Sequence, residues 1–179
     1  MIADALQRRL DRMRAVSRQR WILVTVAFVT AVAASETANL AAPDGSILLV
    51  VLVAGFALTA VVEPDAHHAT WAVALVVVQW ALEVDDVTTA AAVVAAVLLF
   101  VFHSLVALMA LAPANVTLQP AVIRRWAERS AAVVGGTLAM WGLVVAFDRW
   151  RVPGGAALTL GGFAVLAIGA VALVVRSYR

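Results

Sequence analysis

The chain has 179 residues, of which 64% are hydrophobic and only 13% charged, and its mean hydropathy is +0.99. Because a soluble domain has about 45–50% apolar and about 25% charged residues, this composition excludes a water-soluble globular protein and predicts an all-α, polytopic membrane protein. The net charge of +2 rests on 13 Arg, and the chain contains neither Lys nor Cys. Disulfides and Cys-ligated metal centres are therefore excluded, and Arg placed beside apolar segments indicates membrane orientation rather than nucleic-acid binding.

The first 20 residues are predicted to form a cytoplasmic, Arg-rich amphipathic helix. Ile2, Leu6, Leu10 and Met13 recur at helical spacing, and six Arg surround them. Such a helix lies in the membrane interface with its Arg near anionic headgroups, or docks a cytoplasmic partner. A cleaved secretory signal is the alternative, since the following apolar segment contains an Ala-x-Ala-like stretch.

Six apolar segments are predicted to span the membrane, because spanning takes about 20 residues, with a range of about 17–25. Pro64 suits the first helical position of the third segment. The second and third segments are the shortest, so a re-entrant pair that leaves four full spans is the alternative. The segments are residues 21–42, 46–62, 64–82, 87–112, 130–147 and 155–175.

The distribution of Arg predicts the orientation, because short cytoplasmic loops retain basic residues. With the N-terminus inside, 11 of the 13 Arg are cytoplasmic, and only Arg149 and Arg151 fall outside. An odd number of spans would move the C-terminal Arg176 and Arg179 to the other side. We therefore expect an even number of spans and two cytoplasmic termini. Abundant Ala, Val and Arg without Lys suggest a high-GC genome, hence a bacterial plasma membrane.

Residues 113–129 are predicted to form a cytoplasmic loop that ends in a short amphipathic helix over residues 121–129. Ile123 and Trp126 form its apolar side, and charged residues form the other. This segment is a candidate contact surface for a protein partner. The candidate contacts are Arg124, Arg125, Trp126 and Arg129.

A candidate intramembrane polar site begins with Glu36, since an ionisable group inside a span is a functional hypothesis by default. Glu36 lies about 22 Å beyond Trp21 along a helix, in the outer third of the membrane. Asn39 shares its face, and Gln79 and Glu83 lie one turn apart at the outer end of the third span. The site could bind a cation or proton; alternatively, Glu36 stabilises helix packing or reaches outer water.

His103, in the fourth span, is predicted to be an interhelical hydrogen-bonding group or to join Glu36 in a proton relay. The two residues differ in predicted depth by about two turns. His67 and His68 lack an evident third ligand and point in different directions, so no metal site is expected. The chain also lacks the sequence motifs of zinc proteases, serine hydrolases and intramembrane aspartyl proteases, so we expect neither an enzyme nor a bound cofactor.

The junction between the fourth and fifth spans contains His103-Ser104-Leu105, the segment that leads to Asn115, and the run Leu118-Gln119-Pro120-Ala121-Val122-Ile123-Arg124-Arg125-Trp126-Ala127. With these residues it resembles small integral membrane proteins of actinobacteria, some of them encoded near MoxR-type ATPases and their von Willebrand-like partners. The resemblance covers about a fifth of the chain. It implies an accessory membrane subunit and supplies no catalytic residues.

Two functions follow as hypotheses. The first is a non-enzymatic scaffold or accessory subunit that contacts the lipid bilayer and a protein partner, either a membrane subunit or a cytoplasmic ATPase. The second is a small transporter or substrate-binding membrane subunit, similar in size and topology to the substrate-capture components of energy-coupling vitamin transporters. The chain lacks the aromatic and polar richness of a vitamin pocket, which favours the first.

Overall fold

The computed structural model describes residues 16–42, 45–64, 67–84, 89–150 and 161–162, without the side chains of residues 147–150. Helices are the only regular elements in these ranges. The predicted sixth span lies outside the described residues except Gly161 and Gly162, and residues 1–15 of the predicted interfacial helix also lie outside. The elements that the structure describes are α1 (Arg18–Ala41), α2 (Ile47–Val62), α3 (His68–Glu83), α4 (Ala90–Ala110) and α5 (Pro120–Trp150).

Among the described residues, three helices are long and apolar enough to cross a membrane: Arg18–Ala41, Ala90–Ala110 and Pro120–Ala146. The prediction of an all-α protein is confirmed for the described residues, and the three candidate spans are consistent with the prediction of a membrane protein. Helices α2 and α3 have 16 residues each, which makes each about 24 Å long at 1.5 Å per residue. That length is less than the roughly 30 Å of a hydrocarbon core. The number of spans therefore stays a prediction.

The start of α3 differs from the prediction. We expected Pro64 at the first helical position, but α3 begins at His68 and Pro64 lies in a turn. Glu63, which ends α2, has φ −124° and ψ 75°. A residue before Pro is sterically pushed out of the helical region, so the chain leaves the helical conformation here and needs several residues to begin the next helix.

Hydrogen bonds between distant residues identify the two ends of the bundle of α1–α4. The end that contains the start of α1, with Arg18 and Arg20, is called the basic end, and the opposite end, with Glu36 and Glu83, is called the polar end. At the basic end, the Ser17 N–H donates to Ala114 O at 3.1 Å, which places the start of α1 beside the chain that follows α4. At the polar end, Ser35 near the end of α1 bonds to Gln79 near the end of α3. The Ser46 N–H, at the start of α2, bonds to Glu83 at the end of α3. The four helices therefore alternate in direction.

Small side chains on α1 form the centre of this bundle. Ala27, Ala31, Ala34 and Ala38 are all completely buried, and their spacing puts them on one face of the helix. Small residues let helix backbones approach closely, which is the main source of packing between helices in lipid. Larger buried side chains from α4, among them Phe102, complete the cluster at the basic end.

Helix α5 differs from the prediction of a short amphipathic helix followed by a separate span. One continuous helix runs over Pro120–Trp150, and only residues 111–119 remain as a connection. Pro120 is accepted at the first helical position, because a first-turn N–H has no intrahelical partner to lose. The chain divides into two compact units, residues 1–135 and 136–179, and the sites below lie in the first.

Candidate functional site: an interhelical polar network and a basic end

Polar side chains from α1 and α3 meet in a continuous hydrogen-bonded chain, here called the polar network: Ser35, Glu36, Asn39, Gln79 and Glu83. Gln79 is its centre. Ser35 Oγ donates to Gln79 Oε1 at 2.6 Å. Gln79 Nε2 donates to Asn39 Oδ1 at 2.9 Å and to Glu83 Oε2 at 3.1 Å. A single amide thus joins one side chain of its own helix to two of the neighbouring helix.

A carboxylate lies at each end of the polar network. Asn39 Nδ2 donates to Glu36 Oε2 at 3.3 Å, across one turn of α1. The other oxygen of Glu83, Oε1, accepts the backbone N–H of Ser46 at 3.1 Å. Ser46 is the N-cap residue of α2, so the Glu83 carboxylate lies at the positive end of a helix dipole. Glu83 therefore joins the start of α2 to the end of α3.

The centre of the network is closed to solvent and saturated with partners. Ser35 and Gln79 are both 0% exposed. The Gln79 amide uses its two N–H groups and its carbonyl oxygen in the three bonds described above, which leaves no N–H group free for a substrate. Burying such groups without partners would cost free energy, so their mutual pairing stabilises the packing of α1 on α3.

Local helix geometry explains why these residues meet. Ser35 and Asn39 are four residues apart on α1, and Gln79 and Glu83 are four apart on α3, so each pair lies on one helix face. Since α1 and α3 run in the same direction and end together, the two faces match turn by turn. The spacing of Ser35 from Asn39 was the available signal for Ser35, which was missing from the predicted site.

The structure brings together four of the five residues predicted for the polar site: Glu36, Asn39, Gln79 and Glu83. The fifth, His103, is exposed on α4 and has no hydrogen bond to the network among the described residues. His103 lies two turns from the end of α4, which is at the basic end, whereas Glu36 lies near the polar end. The geometry therefore does not join them in a relay.

Gly45 packs directly against the network. A Cβ atom built on Gly45 would lie 2.6 Å from Asn39 Oδ1 and 2.8 Å from Asn39 Cα. The Cα atom belongs to helix backbone and cannot rotate away. Only a residue without a side chain fits here while Asn39 keeps its bond to Gln79.

We expect Gly45→Ala to lower the free energy of unfolding by about 1–3 kcal/mol, because overpacking against backbone shifts Asn39 away from Gln79. Thermal unfolding in detergent measures the change. The matched control is Gly55→Ala on α2, where a new Cβ meets nothing within 4 Å. That control should be neutral or stabilising, since Ala is the better helix former. Equal melting temperatures for both variants would contradict the prediction.

The basic end is built by contacts between the start of α1 and residues 109–118. Gln19 Oε1 accepts the Leu118 N–H at 2.8 Å, and Arg20 Nη1 donates to Met109 O at 2.5 Å. A cleft between these segments has a volume of about 10 Å³, which is room for about one water molecule. It is a packing defect rather than a pocket for a substrate.

The four predicted partner contacts divide into two groups. Arg124, Arg125 and Arg129 are exposed, and Arg124 Nε lies 3.6 Å from Glu128 Oε1. Trp126 is half-buried and packs against the hydrophobic cluster at the basic end. Its ring therefore anchors the first turns of α5 to the bundle, while the three Arg remain accessible.

The described residues define a class: a helical bundle with three helices able to span a membrane, an interhelical polar network at one end and Arg at the other. Across these residues, no group of three or more His, Cys, Asp or Glu could hold a metal ion. Comparison with protein-family models, curated proteins and solved structures finds no match.

Proposed function

We propose that this protein is a non-enzymatic scaffold or accessory subunit of a membrane complex. The observation that carries the proposal is the saturated polar network. Two of the three hydrogen bonds of its Gln79 amide join α3 to α1, the third goes to Glu83 on α3, and the centre of the network is fully buried. This arrangement stabilises a rigid bundle and presents no open binding groups at its centre, as a structural subunit requires.

The proposal includes six spans, two cytoplasmic termini and a bacterial plasma membrane. The five Arg side chains that the structure describes all lie towards the basic end, on the first turns of α1 and α5. Because short cytoplasmic loops retain Arg, the basic end then faces the cytoplasm. Helices α1–α4 alternate in direction, which supports four crossings before α5. The remaining two crossings are α5 and residues 155–175.

The partner is proposed to bind at the basic end, where the connection after α4 exposes apolar side chains. Leu111 is 73% exposed and Val116 is 51% exposed, and Arg124 lies a few residues further along the chain. Exposed apolar residues rimmed by charge are typical of protein contact surfaces. A second membrane subunit or a cytoplasmic ATPase is the proposed partner, in line with the family that the junction resembles.

The test is purification from native membranes in mild detergent through a C-terminal tag, with identification of stoichiometric partners. We expect one protein partner, and we expect Leu111→Ser combined with Val116→Ser to remove it. The control is Leu40→Ser at the polar end, where the side chain is 85% exposed; this variant should keep the partner. Recovery of the wild-type protein alone, or as a homo-oligomer, would contradict the proposal.

The second candidate function is a small transporter or substrate-binding subunit. It is favoured by one observation: Glu36, at the outer limit of the network, is exposed and linked through Asn39 to the buried Gln79. An exposed carboxylate at the end of a candidate span could collect a cation. The buried part of the network argues against proton conduction, because the side-chain amides of Asn39 and Gln79 retain their protons and are poor proton relays.

A further inference from the structure

Two like charges lie side by side on the exposed surface of α5. Arg125 and Arg129 are one helical turn apart, and both are exposed. At this spacing the Cβ atoms are about 5–6 Å apart, and like charges destabilise the helix. Neither side chain forms an ion pair with any residue in the described ranges. The neighbouring Arg124, by contrast, is paired with Glu128 within the same helix.

An anion held between the two guanidinium groups would offset their repulsion. Guanidinium groups match phosphate oxygens through paired N–H donors, and Arg is the preferred residue for this recognition. The chemistry of the site therefore points to a phosphate group. Arg124 contributes less, since Glu128 already neutralises part of its charge.

The position of the pair favours a phosphate that belongs to a lipid. Arg125 and Arg129 lie in the first ten residues of the candidate span Pro120–Ala146, directly before its uncharged stretch of residues 130–146. When the uncharged stretch crosses the hydrocarbon core, the long side chains of these two Arg lie at the headgroup level. Trp126 holds this turn against the bundle by packing on the hydrophobic cluster at the basic end.

We infer that Arg125 and Arg129 form a binding site for the phosphate of an anionic phospholipid at the membrane surface. The inference rests on the proposed membrane location of the basic end and assigns a ligand to two of the expected partner contacts. It leaves Leu111 and Val116 as the surface for the protein partner. Anionic headgroups attract basic residues next to a span, which supplies the affinity.

The experiment measures binding of phosphatidylglycerol and phosphatidylcholine to the purified full-length protein in neutral detergent, by native mass spectrometry. We expect a preference for phosphatidylglycerol of about fivefold or more, and a loss of about fivefold for each of Arg125→Gln and Arg129→Gln, the effect of about one surface charge. Arg124→Gln should change binding by about twofold or less. Glu128→Gln should strengthen binding, because it frees the charge of Arg124.

Four results would overturn the inference. One is equal binding of both lipids, and another is wild-type phosphatidylglycerol binding by the Arg125→Gln, Arg129→Gln double variant. A third is displacement of the lipid by millimolar inorganic phosphate, which would indicate a site for free anions. The fourth is a double variant that loses the co-purifying protein but keeps the lipid, which would make the pair a protein contact. Lipid binding in detergent needs no partner, so failure of the scaffold proposal would leave this result intact.

Discussion

Replacing Gln79 with Leu is expected to lower the free energy of unfolding by about 2–4 kcal/mol. Two bonds between α3 and α1 and one bond within α3 disappear together, and the fully buried Ser35 hydroxyl and the Asn39 side-chain oxygen lose their partner. Each such bond is worth about 0.6–1.7 kcal/mol within a membrane bundle, and an orphaned buried group adds to the cost. The corresponding fall in Tm is about 5–15 °C. Thermal unfolding in detergent micelles, followed by circular dichroism, measures it.

The matched control for this prediction is Thr37→Val on the same helix. Thr37 Oγ1 donates to Ala34 O within α1 at 2.6 Å, so its loss breaks no contact between helices. We expect its effect on Tm to be small, and Ser35→Ala to fall between the two variants. If the Gln79→Leu protein had the same Tm as the wild type, the network would not stabilise the bundle.

Glu83→Gln and Glu36→Gln make the same chemical change at opposite ends of the network, with different expected results. Glu83 uses both carboxylate oxygens, one on the Gln79 amide and one on Ser46 N–H. A Gln at position 83 must present an NH₂ group to one of these two donors, so one bond is lost together with the negative charge at the start of α2. We expect a loss of about 1–2 kcal/mol in stability.

Glu36→Gln should cost less than about 0.5 kcal/mol, as is usual for an exposed substitution away from buried networks. Only its bond from Asn39, at 3.3 Å, is at stake, and a Gln oxygen can still accept it. Thermal unfolding of both variants tests the difference, and a Glu36→Gln protein as unstable as Glu83→Gln would contradict it.

The Glu36→Gln variant also separates the two candidate functions. In reconstituted vesicles, the scaffold proposal expects no proton or cation flux that depends on Glu36. If the wild-type protein carried such a flux and Glu36→Gln abolished it without unfolding the protein, the transporter would become the better account. Unchanged flux with an intact complex would support the scaffold.

Much of the secondary structure followed from hydropathy alone. The predicted spans at residues 21–42, 46–62 and 87–112 correspond to α1, α2 and α4 within a few residues, because long apolar runs leave the backbone little choice but to bond within a helix. The starts of α3 and α5 were less predictable. Pro is accepted both in the first turn of a helix and in the connection that precedes a helix. The presence of Pro64 therefore did not decide where α3 begins.

The amino-acid sequence by itself determined a helical protein with helices apolar enough to span a membrane, Arg clustered towards one end and a few polar residues in apolar surroundings. It also put Asn39 near Glu36, since helical spacing is a local property. Only the tertiary structure decided that Gln79 joins α1 to α3, that His103 stays apart, and that Trp126 faces the bundle. Those contacts depend on the register and rotation of one helix against another, which many weak packing interactions set jointly and no single sequence motif encodes.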